Sequence, residues 1–141
     1  NRYKTKEINY FGGLSQKIPK MAVFFLIFTL GAIGFPGSSG FIGEFLTLMS
    51  VYSRSTLVAF ISSFGVILAA TYMLLLYKKV FLGPINSNID NKVNQLHVYE
   101  TITFLALSIM ILIIGIKPNL ILSYTTSSLD RIVSLYPITI F

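Results

Sequence analysis

The sequence predicts an all-α integral membrane protein with three transmembrane spans, the first a discontinuous helix, followed by an amphipathic C-terminal tail. Three observations predict it. Of the 141 residues, 54% are hydrophobic and 11% charged. Soluble domains carry about 25% charged residues, so this chain cannot clothe a globule of its size in polar surface. The apolar residues fall into runs long enough to cross a bilayer, at residues 21–52, 57–77 and 99–116. Finally, the basic residues sit between those runs, which is how membrane topology is written into a sequence.

The polar segments come first because they set orientation. Residues 1–20 are polar and basic, with Gly12-Gly13 and Pro19 as breakers. No apolar signal core lies near Asn1. The chain opens without methionine, which leaves open a start lying elsewhere or a separately made piece. Residues 78–98 form a second polar connection, running from Lys78-Lys79 through Asn86, Asn88, Asp90, Asn91 and Lys92. If each apolar run crosses once, these two segments share a side. They carry Arg2, Lys4, Lys6, Lys17, Lys20, Lys78, Lys79 and Lys92, against Arg54, Lys117 and Arg131 opposite. The richer side is expected to be the cytoplasm-equivalent one, the matrix in a mitochondrion.

The first run is too long for one straight helix. Residues 21–52 would reach about 48 Å at ~1.5 Å per residue, while the hydrocarbon core is about 30 Å thick. Its centre reads Gly34-Phe35-Pro36-Gly37-Ser38-Ser39-Gly40, and proline with flanking glycines argues against a continuous helix. Two half-helices joined by an unwound stretch are expected. Such backbone survives at membrane depth only beside protein or a water-filled cavity, and it is typical of transporter ion sites. A re-entrant hairpin of two short helices is the alternative. The second run, 57–77, contains no charge, and the third, 99–116, stops at Lys117-Pro118. In the tail, 119–141, Leu122, Thr126, Leu129, Val133 and Tyr136 recur at spacings of three and four. That period predicts an amphipathic helix on the membrane surface or, preferably, docked on a neighbour.

Composition also excludes chemistry. Without cysteine there is no disulfide, iron–sulfur cluster or thiolate metal site. One histidine and five acids leave too few ligands for an evident metal site, so no cofactor or metal is expected in this chain. The net charge of +6 is placed by topology rather than on a readable basic face. Membrane lipid, not nucleic acid, is the expected surrounding.

Glu44 is the one charged residue between Lys20 and Arg54. A carboxylate near mid-membrane costs roughly 2.5–3.5 kcal/mol on insertion scales, and such residues usually face a partner or a hydrated path. Burial favours the protonated carboxyl. The positive end of a half-helix starting near Ser38 or Ser39, with a serine cap, favours the ionised one. A group pulled both ways can be switched by a moderate field, as a proton relay requires. Arg54 lies about 15 Å further along the helix at ~1.5 Å per residue, so a cation that modulates Glu44 must come from another helix. The bland alternative is a latch that hydrogen-bonds a neighbouring backbone. Weaker polar candidates are Tyr72, as companion of a water wire, and Lys78 and Lys79, read mainly as snorkelling anchors. His97, at an interface, is more often a packing residue than a relay. Glu100 is placed to complement a helix N-terminus.

The run Arg2-x-x-Thr5-Lys6-x-Ile8, Gly12-Gly13-Leu14, Pro19, then Gly34-Phe35-Pro36-Gly37-Ser38-Ser39-Gly40-Phe41-x-Gly43-Glu44-Phe45, resembles the antiporter-like membrane subunits of respiratory complex I. Tyr77-Lys78-Lys79-Val80-Phe81-x-Gly83 and Gly115-Ile116-x-Pro118 resemble the last helices of the subunit-4 type. The resemblance implies about fourteen helices in two inverted repeats, each with one broken helix, of which this chain would be the last three. It puts Glu44 at the ionisable position of the second broken helix, where sister subunits usually carry lysine. Tyr99-Glu100 departs from the Arg-Glu often found before the last helix.

By that resemblance the chain would be a non-redox, proton-translocating part of NADH:ubiquinone oxidoreductase, with Glu44 as relay. Its expected seat is the mitochondrial inner membrane, ahead of a bacterial or chloroplast membrane. Expected partners are the neighbouring antiporter-like subunits and a separate chain carrying the N-terminal part of the same subunit. A cation/proton antiporter module and a structural membrane subunit are the alternatives.

Overall fold

The computed structural model describes Ile8 and residues 11–84 and 95–135. Arg2, Lys4, Lys6, Asn86, Asn88, Asp90, Asn91, Lys92 and Tyr136, used in the topology and tail readings, lie outside the described residues. The described chain is helical throughout, without strands: α1 (Leu14–Lys17), α2 (Pro19–Ala32), α3 (Ser39–Arg54), α4 (Thr56–Phe81), α5 (Val98–Ile116) and α6 (Asn119–Leu135).

Local chemistry sets most of these limits. Pro19 opens α2 at the first turn, where its missing N–H is no loss. Ser55 caps α4, its hydroxyl oxygen accepting from the Val58 N–H at 3.5 Å. Lys78 and Lys79 lie in the last turn of α4, where cations suit the negative end of the helix. The helix therefore runs four residues beyond the apolar run 57–77, and both lysines belong to it. Glu100 folds back on the start of α5, its carboxylate accepting from the His97 N–H at 2.8 Å. Lys117 caps the end of α5, Pro118 follows, and α6 begins at the next residue.

Within the polar segment 1–20, residues 14–17 form a helical turn. The single turn α1 packs on the end of α4, and the alternation of Leu14 and Ile18 with polar neighbours buries both apolar side chains. A helix leaves its last carbonyls without partners, and α1 supplies them here. The Ser15 hydroxyl donates to the Phe81 carbonyl at 2.6 Å, the Gly13 N–H to the Leu82 carbonyl at 3.3 Å, and the Gln16 side-chain amide to the Gly83 carbonyl at 3.4 Å.

Side-chain pairs fix the directions of the helices. Phe25 meets both Tyr77 and Phe81, while Ser15, earlier in the chain, reaches Phe81, so α4 runs antiparallel to α2. Phe24 and Phe28 flank Phe104, Gly31 faces Ile111, and the Gly37–Ser38 backbone faces Gly115. Those numbers rise together, so α5 runs parallel to α2. Small buried residues recur every seven positions, Ala22 and Thr29 on α2 and Ser108 and Gly115 on α5. Helices in lipid gain association from close packing of small residues rather than from the hydrophobic effect.

Among the described residues, α4 and α5 are long and apolar enough to cross a membrane, whereas α2, with 14 residues, is apolar but short. Both long helices expose wide apolar faces, including Leu57, Ile61, Leu68, Ile102 and Ile113.

Candidate functional site

Between α2 and α3 the chain makes two successive turns, each dictated by a glycine. Gly34 has φ +66°, the left-handed conformation that ends many helices. The Phe35 N–H reaches back to the Leu30 carbonyl at 3.0 Å, the long bond of a Schellman stop. Pro36 then precludes further helix. The Ser38 N–H donates to the Phe35 carbonyl at 3.0 Å, closing a four-residue turn with Pro36 and then Gly37 at its centre. Gly37 has φ +95°, as the third position of a type II turn demands.

Gly40 lies against the Gly31 carbonyl, and Glu44 lies against Gly34. Numbers rise together again, so α3 starts beside the last turn of α2 and continues in the same direction. A hairpin would pair them in the reverse order. The single linking residue Ser55 folds α4 back along α3, which agrees, since α4 is antiparallel to α2. The two helices are therefore halves of one interrupted helix that overlap side by side.

The serine cap expected at the start of α3 is not made. Ser38 occupies the capping position, but its hydroxyl donates to the Phe35 carbonyl at 2.8 Å and serves the turn instead. The turn points the hydroxyl back at the Phe35 carbonyl, and no side-chain bond to the first N–H groups of α3 is made.

Glu44 sits in the second turn of α3 and is half-buried. Long helical side chains point back toward the N-terminus, and this one carries its carboxyl onto Gly34. Among the described residues no hydrogen bond or ion pair meets it. On the α5 side of the break lies a cleft of about 260 Å³, apolar and bounded by Ile27, Leu30, Phe35, Pro36, Ile111 and Ile116.

The other candidates lie elsewhere. Tyr72, 61% exposed, lines a cleft of about 760 Å³ with Leu75, Leu76, Lys78, Lys79 and Leu82. That cleft belongs to the half of α4 beside the start of α2, so the structure does not join Tyr72 or the lysines to Glu44. His97 stacks on Tyr99 with ring centroids 5.5 Å apart at the start of α5. No cluster of three potential metal ligands occurs among the described residues. Sequence reasoning missed the packing roles of Gly31, which leaves room for Ile111 of α5, and of Gly115, on which the Gly37–Ser38 backbone of the break lies. Their spacing, three residues before Gly34 and seven after Ser108, was the available signal.

Residues 1–70 match a family described as NADH:quinone oxidoreductase/Mrp antiporter, transmembrane. Over 131 residues the chain is 41% identical to subunit M of NADH-quinone oxidoreductase from Rickettsia bellii, covering 93% of this chain and 26% of that protein. Subunit M from Rhodobacter capsulatus is 36% identical over 136 residues, 96% of this chain and 27% of the relative. Chain 4 of NADH-ubiquinone oxidoreductase from Marchantia polymorpha is 36% identical over 133 residues, 94% and 27%. The chain thus spans about a quarter of the length of the curated relatives it matches.

Proposed function

Because the chain belongs to the NADH:quinone oxidoreductase/Mrp antiporter membrane family, we propose that it is the C-terminal part of a subunit-4-type, proton-translocating subunit of complex I. In this reading α2 and α3 together make one crossing, α4 and α5 the next two, and α6 docks on a neighbour. The observation that carries the reading is the lone carboxyl of Glu44 placed against an interruption in its own helix.

Glu44 takes up and releases the proton. An acid inside a span is costly unless it serves a hydrated path or a partner, and the interruption supplies backbone polarity beside it. A cation arriving on an adjoining helix stabilises the ionised carboxyl and drives release; its departure favours uptake. The chain does no redox chemistry. Its role in the enzyme is translocation, coupled electrostatically to electron transfer in other subunits. The remaining three quarters of the relatives' length supplies the rest of the half-channel, and neighbouring antiporter-like subunits supply the lateral charge chain.

Glu44→Gln in the assembled complex tests this. It keeps the volume and removes the proton, so assembly is expected to persist while pumped protons per electron fall. Normal stoichiometry in that variant overturns the relay.

The family description also covers Mrp antiporters, which supports a second reading as a cation/proton antiporter module without an electron-transfer arm. Purification with flavin and iron–sulfur subunits decides for the first. The proposed location is the mitochondrial inner membrane, supported by the plant chain 4 relatives; bacterial subunit M relatives make fractionation the check.

A further inference from the structure

Gly34 answers to two demands. Its positive φ stops α2. Independently, the space where its side chain would begin is already taken. A Cβ placed there would lie 2.8 Å from the Glu44 carboxyl carbon and 3.3 Å from Oε1, with Oε2 closer still. Gly37, the other glycine of the break with positive φ, faces nothing within 4 Å, and neither does Gly43 beside Glu44. Gly40 and Gly115 face backbone carbonyls. Gly34 is therefore the glycine of the break whose missing side chain is used by the acid.

We infer that Gly34 is a positioning residue for Glu44, a bare seat that holds the carboxyl across the interruption between the two half-helices. This rests on the relay reading. A glutamate has several staggered rotamers, and transfer along a relay depends on holding one of them. Lying on Gly34, the carboxyl of α3 touches the last turn of α2. A shift of one half-helix against the other therefore moves the acid relative to its proton path.

The test places Gly34→Ala beside Gly37→Ala in the assembled complex. The second variant puts a side chain on a positive φ without touching Glu44, so it isolates backbone strain. Two readouts are taken: pumped protons per electron, and the rate at which a lipid-soluble carbodiimide modifies Glu44, followed by mass spectrometry of its peptide. Misplacement by about 1 Å can cost on the order of 100-fold in the rate of a positioned reaction, so Gly34→Ala is expected to lower pumped protons per electron toward the level of Glu44→Gln. Its labelling rate departs from the parent's, while Gly37→Ala, whose Cβ would meet nothing within 4 Å, keeps the parent's labelling rate. Parental pumping and labelling in Gly34→Ala, or the same change of labelling in Gly37→Ala, overturn the seat. Should Gly34→Ala fail to assemble, Glu44→Ala is added: recovered assembly supports the inference, and continued failure overturns it. If Glu44→Gln pumps normally, the relay falls, while labelling and assembly still judge the seat.

Discussion

At its first turns α2 is wedged among aromatic rings, whereas at its last turn it runs out into glycines. The first region joins Phe25, Tyr77 and Phe81, with Phe81 only 1% exposed and its ring centroid 5.0 Å from that of Phe25 and 5.3 Å from that of Tyr77. Leu14 and Ala22 complete that cluster. The second region contains Gly31, Gly34, Gly37 and Gly40; Gly40 lies on the Gly31 backbone, while Gly31 and Gly34 leave room for the side chains of Ile111 and Glu44. One end is held by volume, the other by its absence. In lipid, where helices gain little from hiding apolar surface, close van der Waals contact holds them together, and both ends achieve it by opposite means. The difference separates duties. The aromatic end fixes α2 against α4, so the glycine end can be irregular without loosening the bundle.

Three substitutions break or sharpen this contrast. Phe81→Ala should have the largest effect, since emptying a buried aromatic site costs about 3–5 kcal/mol. Thermal denaturation of the detergent-solubilised complex reads the loss, and a parental midpoint would remove the anchor. Gly115→Ala comes next. Its Cβ would stand 2.6 Å from the Gly37 carbonyl carbon, and overpacking typically costs about 1–3 kcal/mol. The same melt should fall less than for Phe81→Ala, with coupled pumping reduced because α5 is pushed off the break. Ser15→Ala is the smallest. It removes one hydrogen bond to the end of α4, worth about 0.5–1.5 kcal/mol, and should leave pumping unchanged. If it lowered pumping as Gly115→Ala does, the two ends would not be separable.

Much of the break was legible because its chemistry is local. Proline with glycine on both sides admits few backbone conformations, and Gly34, Pro36 and Gly37 adopt those that the motif allows. The isolation of Glu44 was equally plain, as no other charge lies between Lys20 and Arg54. The serine cap failed because the turn around Pro36 and Gly37 aims the Ser38 hydroxyl at the Phe35 carbonyl, a direction that only the folded turn fixes. Tyr72 looked like a companion for Glu44 on position alone, yet it lines a cleft with Lys78 and Lys79 in the half of α4 beside the start of α2, away from the break.

The sequence by itself determined the helical class, the place of the interruption and the single acid within it, since hydropathy, proline and glycine act within a few residues. Tertiary structure alone decided that α3 continues past α2 rather than returning, that α1 closes the end of α4, and that the acid lies on Gly34. Those outcomes depend on contacts between segments far apart in the chain, such as Gly13 with Leu82 and Ser15 with Phe81, whose geometry is set by how whole helices pack and not by any local preference.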